Sequence, residues 1–408
     1  MERNVPKLRF KEFSDEWEKK HLSNMVERVV RKNKDNRTQR PLTISAQYGL
    51  VDQEEFFNKI VASKNLEGYY LLEKGEFAYN KSYSNGYPFG TIKRLDRYDN
   101  GAVSTLYICF NNKENYNSDY LVHYFESSKW HREVSMIAVE GARNHGLLNV
   151  SVPDFFYTIH RVPSLQEQER IANFLTKVDK IIEKQEEKVK NLEKYKKGMM
   201  QKIFSQEIRF KDENGNEYPE WEEKKLKDVV SGFEYGMNSS AIEFDGINKY
   251  IRITDIDESS NKYRNENIVS PDGILEDKYL VKENDILFAR TGASVGKTYL
   301  YDKNDGKVYF AGFLIRANVN RNNNSKFIFM QTQTDEYKRW VKIMSMRSGQ
   351  PGINSQEYAT YNINIPCIEE QNRIAKFLTN IDDIIEKENK KLIQMRYLKK
   401  GLLQQMFV

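Results

Sequence analysis

Pro163-Ser-Leu-Gln-Glu-Gln-Glu-Arg-Ile-Ala-Asn-Phe-Leu-Thr-Lys-Val-Asp-Lys-Ile-Ile-Glu-Lys184 returns later in the same chain as Pro366-Cys-Ile-Glu-Glu-Gln-Asn-Arg-Ile-Ala-Lys-Phe-Leu-Thr-Asn-Ile-Asp-Asp-Ile-Ile-Glu-Lys387. The match runs on without a gap through Lys196-Lys-Gly198 against Lys399-Lys-Gly401 and ends with Phe204 against Phe407. Roughly half of some ~40 positions are identical, so the chain contains an internal duplication. Each copy reads as one long helix. Ile171, Phe174, Leu175, Val178, Ile181, Ile182, Val189, Leu192, Tyr195, Met199 and Ile203 recur at spacings of three and four, which puts them on one helical face. Ile374, Phe377, Leu378, Ile381, Ile384, Ile385, Leu392, Met395, Leu398, Leu402 and Met406 repeat the stripe. A helix of ~38 residues is ~57 Å long, more than one small domain needs. Two such stripes in one chain bury each other most simply as a coiled-coil pair. Ile171, Phe174, Val178, Ile181 and Ile182 in the first helix and Ile374, Phe377, Ile381, Ile384 and Ile385 in the second are expected to carry that pairing. A whole domain separates the end of the first helix from the start of the second, so antiparallel pairing follows, with one globular part at each end.

Working outward, Arg9-Phe-Lys11 with Glu16-Trp-Glu18 reappears as Arg209-Phe-Lys211 with Glu220-Trp-Glu222. The unit of duplication is therefore a globular part followed by a helix. Four segments result: globular parts at 1–162 and 205–365, and long helices at 163–204 and 366–408. Both globular parts read as mixed α/β. Strands are expected within Pro41–Gly49, Gly75–Lys81 and Ser104–Phe110, and a helix within Tyr120–Glu133. The second part repeats this order with strands within Tyr250–Asp255, Asn284–Arg290 and Val308–Ala317 and a helix within Phe327–Met344. The fold class is α+β, a tandem duplication whose two helices pair as an antiparallel coiled coil.

At 408 residues the chain exceeds what one core usually supports, which agrees with two domains. Its two cysteines, Cys109 and Cys367, exclude a disulfide framework and a multi-cysteine zinc site and suit a reducing cytoplasm. The first ten residues carry Arg3, Lys7 and Arg9 without an apolar core, unlike a signal peptide. No apolar run approaches the ~20 residues of a membrane span. A net charge of +5 is small for a protein that grips DNA by bulk charge, so local patches or partner subunits would have to supply the cationic surface.

The duplicated layout and its motifs resemble the DNA-specificity subunits of type I restriction–modification systems. The resemblance rests on Pro-x-x-x-Glu-Gln-x-x-Ile-Ala-x-Phe-Leu at Pro163 and Pro366, on Gly75-Glu-Phe-Ala-Tyr-Asn-Lys-Ser82 with Tyr87-Pro-Phe-Gly90, and on Ile286-Leu-Phe-Ala-Arg-Thr-Gly-Ala-Ser-Val-Gly296. It covers essentially the whole chain. It implies two target-recognition domains, each reading one half of a split, asymmetric sequence in double-stranded DNA. It also implies paired helices that set the spacer and dock two methyltransferase subunits, with two motor-nuclease subunits joining for cleavage. This chain would then hold no cofactor. S-adenosylmethionine, ATP and Mg2+ would belong to the partners.

Base edges are read by Arg, Lys, Asn, Gln and hydroxyl groups on ordered loops, because these match the donors and acceptors of the grooves. Three segments offer them in the same order in both parts. Ser45, Gln47 and Tyr48 correspond to Arg252, Thr254 and Asp255. Lys81, Ser82 and Tyr83 correspond to Arg290, Thr291 and Ser294, with Lys297 beyond. Arg143 and Asn144, followed by His145, correspond to Arg347 and Gln350, with Ser348 between. A basic cluster, Arg28, Arg31, Lys32, Lys34, Arg37 and Arg40, suits phosphate contact or a solvated charge run equally. Gly292-Ala-Ser-Val-Gly-Lys-Thr298 is one residue too short between its glycines for a phosphate-binding loop. Pro271-Asp272 and Glu276-Asp-Lys278 lie too close together for a nuclease carboxylate set. The histidines, among them His123, His131, His145 and His160, show no metal-ligand spacing, and no methyltransferase Asn-Pro-Pro-Tyr or Asp-Pro-Pro-Tyr occurs. No catalytic residue and no metal ligand is assigned. Two other classes stay open: an assembly scaffold that reads no DNA, and a self-contained DNA-modifying enzyme.

Overall fold

The computed structural model describes residues 4–57, 65–82, 86–138 and 148–408. Packing divides the chain into two compact units, one of Met1–Glu187 with Asn389–Val408 and one of Lys188–Glu388. In the first unit the central sheet has four antiparallel strands, β1 (Val26–Arg28), β2 (Phe77–Asn80), β3 (Thr91–Arg94) and β4 (Ile108–Asn112), in the order β1-β4-β2-β3. It is followed by α1 (Ser118–Glu126) and the long helix α2 (Leu165–Phe204). In the second unit β5 (Val230–Tyr235), β6 (Asp285–Ala289), β7 (Thr298–Leu300) and β8 (Leu314–Val319) form an antiparallel sheet in the order β5-β8-β6-β7. Helices α3 (Ser325–Gln331), α4 (Asp335–Met344), α5 (Ser355–Ala359) and the long α6 (Ile368–Met406) complete it. The two sheets share one topology, so the duplication extends through the stretches whose sequences have diverged.

The central strands β2 and β6 read Phe-Ala-Tyr-Asn and Asp-Ile-Leu-Phe-Ala, buried almost throughout. Continuous apolar runs of this kind belong to strands covered on both faces. Each globular part is closed by a two-stranded ribbon that joins its beginning to its end. Glu18–His21 pairs antiparallel with Ile159–Val162, and Glu222–Lys225 with Asn362–Ile365. The ribbon delivers the chain into the proline that precedes each long helix.

Two stretches expected as single helices are broken. Tyr120–Glu133 ends its first helix at Glu126 and restarts at His131, because the Ser127 hydroxyl donates to the Tyr124 carbonyl and ends the turn. Phe327–Met344 divides between α3 and α4, where the Thr334 hydroxyl accepts the Tyr337 N–H and caps a new helix. Hydroxyl side chains compete for backbone groups in this way and favour helix ends over interiors.

The long helices pair antiparallel within each unit. In the first, Asp179 and Glu186 of α2 meet Lys399 and Arg396 of α6 at 2.6 and 2.7 Å. In the second, Lys188 and Lys196 of α2 meet Glu388 and Asp382 of α6 at 3.2 and 2.6 Å. Residue numbers rise along one helix as they fall along the other. Ile171, Ala172 and Leu175 share a core with Leu403, Met406 and Phe407, and Met200 and Ile203 share another with Ile374, Leu378 and Ile381. Ile182 is buried, and Phe174, Val178, Phe377 and Ile385 are half-buried. Ile181 and Ile384 correct the expected pairing face, since they are 55% and 47% exposed. A stripe two or three residues wide is broader than the seam a two-helix contact covers, so its flanking members stay outside.

Candidate nucleic-acid interface

The start of each long helix holds its globular part through the same contacts, and these explain the Glu-Gln of the repeated motif. Glu167 receives two N–H bonds from the Arg9 guanidinium, both at 2.8 Å, and its equivalent Glu370 receives them from Arg209 at 3.5 and 2.9 Å. Both carboxylates are almost wholly buried, so the fork and its charge are needed. The Arg9 guanidinium is held above its usual pKa chiefly by the bond to Glu167, against the opposing effect of burial. Gln168 accepts the Asn117 backbone N–H at 3.0 Å and donates to the Pro163 carbonyl at 3.0 Å. Gln371 does the same with Asn324 and Pro366, each at 2.9 Å. Asn117 and Asn324 cap α1 and α3, so the motif orients the helix that covers each sheet.

In the second unit two of the three nominated loops merge into one ledge. The Arg290 N–H donates to the Phe313 carbonyl at 3.1 Å, and the Arg290 carbonyl accepts the Ile353 N–H at 2.9 Å. Thr291 bridges Gly352, and the Gly292 N–H donates to the Pro351 carbonyl at 2.9 Å. Gly292 has φ +70°, and a Cβ there would lie 3.0 Å from Gln350 Nε2, so the close approach of Gln350 uses the missing side chain. Ser294 and Lys297 follow, with the Lys297 N–H donating to the Ser294 carbonyl. The Lys297 ammonium reaches Glu258 at 3.8 Å, which links the ledge to the loop after Arg252, Thr254 and Asp255. Gly292–Ser294 is a single 3-10 turn that runs on into strand β7. The segment therefore lacks the helix start a phosphate-binding loop uses.

The nominated cations differ in what they already hold. Arg252 donates to Asp255 at 2.8 and 2.9 Å, and that carboxylate also accepts the Arg252 backbone N–H and the Thr254 hydroxyl. Arg347 is bonded to Glu357 and to the carbonyls of Met344 and Met346. Arg290 stands apart. Its guanidinium lies 5.0 Å over the Tyr235 ring, and no hydrogen bond or ion pair engages it among the described residues. Tyr235 is itself fixed, donating to Ser355 Oγ at 3.1 Å and accepting the Ser355 N–H at 3.2 Å. Burial raises the Tyr235 phenol, but the Ser355 bonds and the Arg290 charge outweigh it and bring the pKa below its usual value. Phe313, whose carbonyl takes the Arg290 N–H, is 58% exposed. Tyr235, Phe313 and Ser355 were not singled out from sequence. Only the tertiary fold brings them beside Arg290.

In the first unit Ser45, Gln47 and Tyr48 form the turn of a hairpin between Leu42–Ser45 and Gly49–Asp52, with Gln47 and Tyr48 exposed. The Ser45 hydroxyl accepts the Tyr48 N–H at 3.2 Å. Lys81 donates to the Val150 carbonyl at 3.1 Å, and burial lowers its pKa. Ser82 is exposed beside it. Tyr83, Arg143, Asn144 and His145 lie outside the described residues. Within the basic cluster Arg31 is paired with Glu76 and Glu73, Lys32 donates to the Gly68 carbonyl, and Arg40 meets Asp52.

A polar group in the first unit also escaped the sequence. His123, Glu126 and Asp179 place donor atoms within 4.8 Å of one another, a set with metal-ligand chemistry. Lys399 donates to Glu126 at 2.7 Å and to Asp179 at 2.6 Å, so the carboxylates already share a cation. Burial raises the Glu126 carboxyl, but the nearby His123 ring and the charges of Lys399 and Lys93 outweigh it and hold it far below its usual value. Burial lowers Lys399, and its two carboxylates more than reverse that.

Residues 218–395 match the family described as type I restriction modification DNA specificity domain. The type I restriction enzyme MjaVIII specificity subunit of Methanocaldococcus jannaschii is 28% identical over 277 residues, covering 59% of this chain and 59% of that protein. The StySPI specificity subunit of Salmonella potsdam is 22% identical over 308 residues, covering 71% of this chain and 64% of that protein. The alignments thus span less than two thirds of these relatives' own length. The crystal structure of a type I restriction–modification S subunit from M. genitalium superposes with a TM-score of 0.56 at 14% identity, over 99% of both chains. A structure from work on complex assembly and conformational transition of the type I R-M system gives 0.56 at 15% identity, over 96% of this chain and 97% of that one. At such identities the likeness is one of fold. No helix among the described residues is long and apolar enough to cross a membrane.

Proposed function

We propose that the chain is a specificity subunit like those of the type I restriction–modification systems it resembles, and that it selects the DNA site of such a complex and leaves the chemistry to its partners. Each globular part is a target-recognition domain that reads one half of a bipartite, asymmetric sequence. The paired helices set the distance between halves and dock two methyltransferase subunits, and two motor-nuclease subunits join for cleavage. S-adenosylmethionine, ATP and Mg2+ act in those partners, and the complex works in the cytoplasm. Segments 1–162 and 205–365 are the two readers, and 163–204 and 366–408 the spacer.

One observation carries this reading. The contacts that seat each globular part on its helix are repeated residue for residue, Arg9–Glu167 with Arg209–Glu370 and Gln168–Asn117 with Gln371–Asn324, while the loops at their surfaces differ. An identical mounting with different surfaces is what two readers of unlike half-sites require. The test is genome-wide mapping of methylated adenines in cells with and without the gene. A split motif that disappears with the gene supports the proposal, and exchange of residues 1–162 for another such domain should then change one half only. An exchange that altered both halves, or a chain without influence on any motif, would overturn it.

A further inference from the structure

We infer that Arg290 reads a guanine in the half-site of the second domain, and that Tyr235, locked by Ser355, is the residue that positions it. The inference rests on the DNA-reading role proposed above and adds the base and the mechanism.

The geometry around Arg290 differs from that of every other nominated cation in this unit. Arg252 has its fork closed on Asp255, Arg347 is held by Glu357, and Lys297 leans toward Glu258. Arg290 keeps its guanidinium N–H groups uncommitted among the described residues while the guanidinium carbon lies 5.0 Å over the Tyr235 ring. Its backbone is held on both sides, by Phe313 and by Ile353. A side chain fixed at its root and braced at its head has lost most of its rotamer freedom before any ligand arrives, so binding costs less entropy. Flexible, solvated lysines suffice for phosphate contact, whereas a fixed guanidinium plane suits a target with fixed geometry.

The target follows from the donor pattern. Guanidinium carries donors only, in a planar fork. In the major groove guanine presents two adjacent acceptors, O6 and N7, whereas adenine sets an acceptor beside an amino donor that would oppose the fork. Tyr235 contributes in two ways. Its ring face attracts the cation, and its hydroxyl, fixed from both sides by Ser355 at the start of α5, prevents the ring from swinging. Gln350 and Thr291 lie on the same ledge, so the neighbouring base edges would meet an amide and a hydroxyl.

The experiment uses the full chain co-expressed with its methyltransferase subunits. A randomised duplex library is methylated by each complex and sequenced, with non-specific affinity measured in parallel on a duplex lacking the motif. Arg290→Lys and Arg290→Gln should relax one G·C position of one half-site by about 10- to 100-fold, the discrimination of one bidentate contact. The other half and the non-specific affinity should stay unchanged. Tyr235→Ala should weaken discrimination at that same position, and Tyr235→Phe, which keeps the ring but loses the Ser355 bonds, should weaken it less. A merely structural role for Tyr235 would lower stability without this position-selective change. An equal loss on all sequences would make Arg290 a phosphate contact and overturn the inference, as would an unchanged motif or a change at an A·T position. A parent complex that methylates without any split motif would instead refute the DNA-reading role itself.

Discussion

Replacing Lys399 by Met removes the charge and keeps most of the stem, and the duplication supplies a control, because Lys196 is the equivalent residue of the other copy. Lys399 is 18% exposed and donates to two carboxylates, Glu126 at 2.7 Å and Asp179 at 2.6 Å. Lys196 is equally sheltered but meets one, Asp382, at 2.6 Å, and that carboxylate is 41% exposed. Removing one partner of a fully buried pair costs ~3–5 kcal/mol, because the abandoned charge stays buried. Glu126 and Asp179 are 25% and 29% exposed, and Lys93 remains 3.5 Å from Glu126. The expected cost of Lys399→Met is therefore reduced to ~2–3 kcal/mol. Lys196→Met exposes a single half-solvated carboxylate and should cost ~0.5–1 kcal/mol. Native-state hydrogen exchange on the full chain separates the units. Amides of α1 should exchange roughly 30- to 150-fold faster in Lys399→Met, and those of α3 about 2- to 5-fold faster in Lys196→Met. Equal acceleration in both units, or a cost for Lys399→Met below ~0.5 kcal/mol, would show that the two carboxylates do not depend on this ammonium.

The same network responds to acid. Glu126 is held below its usual 4.5, so its contribution is full above that pH and is lost as pH falls below it. Lys399 is held above 10.5, so its share is full below 10.5 and lost above. Protection of α1 measured against pH should therefore be flat between these limits and fall on the acid side, and Glu126→Gln should flatten that fall. An acid loss unchanged by Glu126→Gln would assign it to other groups. Arg9→Ala leaves the buried Glu167 without its fork and should destabilise by ~3–5 kcal/mol. Arg209→Ala should cost less, because the Trp221 indole N–H still donates to Glu370 at 3.1 Å; denaturant unfolding giving the opposite order would contradict this account. Burial pushes the Cys109 thiol up to about 12, so iodoacetamide near neutral pH should label the half-buried Cys367 and spare Cys109 in the native chain. Labelling of Cys109 at the rate of Cys367 would mean that β4 opens readily.

The sequence by itself determined the duplication, the two long helices and their antiparallel pairing, because periodicity and self-similarity are local properties that survive without coordinates. The Glu-Gln after each proline was visible as a repeated motif, yet its purpose was not, since Arg9 and Asn117 reach it from distant parts of the chain. The Lys399–Asp179 and Lys196–Asp382 pairs were legible in principle. Antiparallel copies of one helix exchange roles, so a contact made in one unit is expected in the other. Stripe width misled the reading at Ile181 and Ile384, because apolar spacing reports a face and not how much of it a partner covers. Helix breaks at Ser127 and Thr334 depended on hydroxyls choosing backbone carbonyls or amides, a choice that spacing does not reveal. At the candidate interface, sequence nominated arginines by type, and only the tertiary structure separated them: Arg252 and Arg347 are consumed by carboxylates, while Arg290 is braced on Tyr235 and its guanidinium is left open among the described residues. A guanidinium's availability is decided by whatever lies within hydrogen-bond reach of it, and that neighbourhood is assembled from segments far apart in the chain.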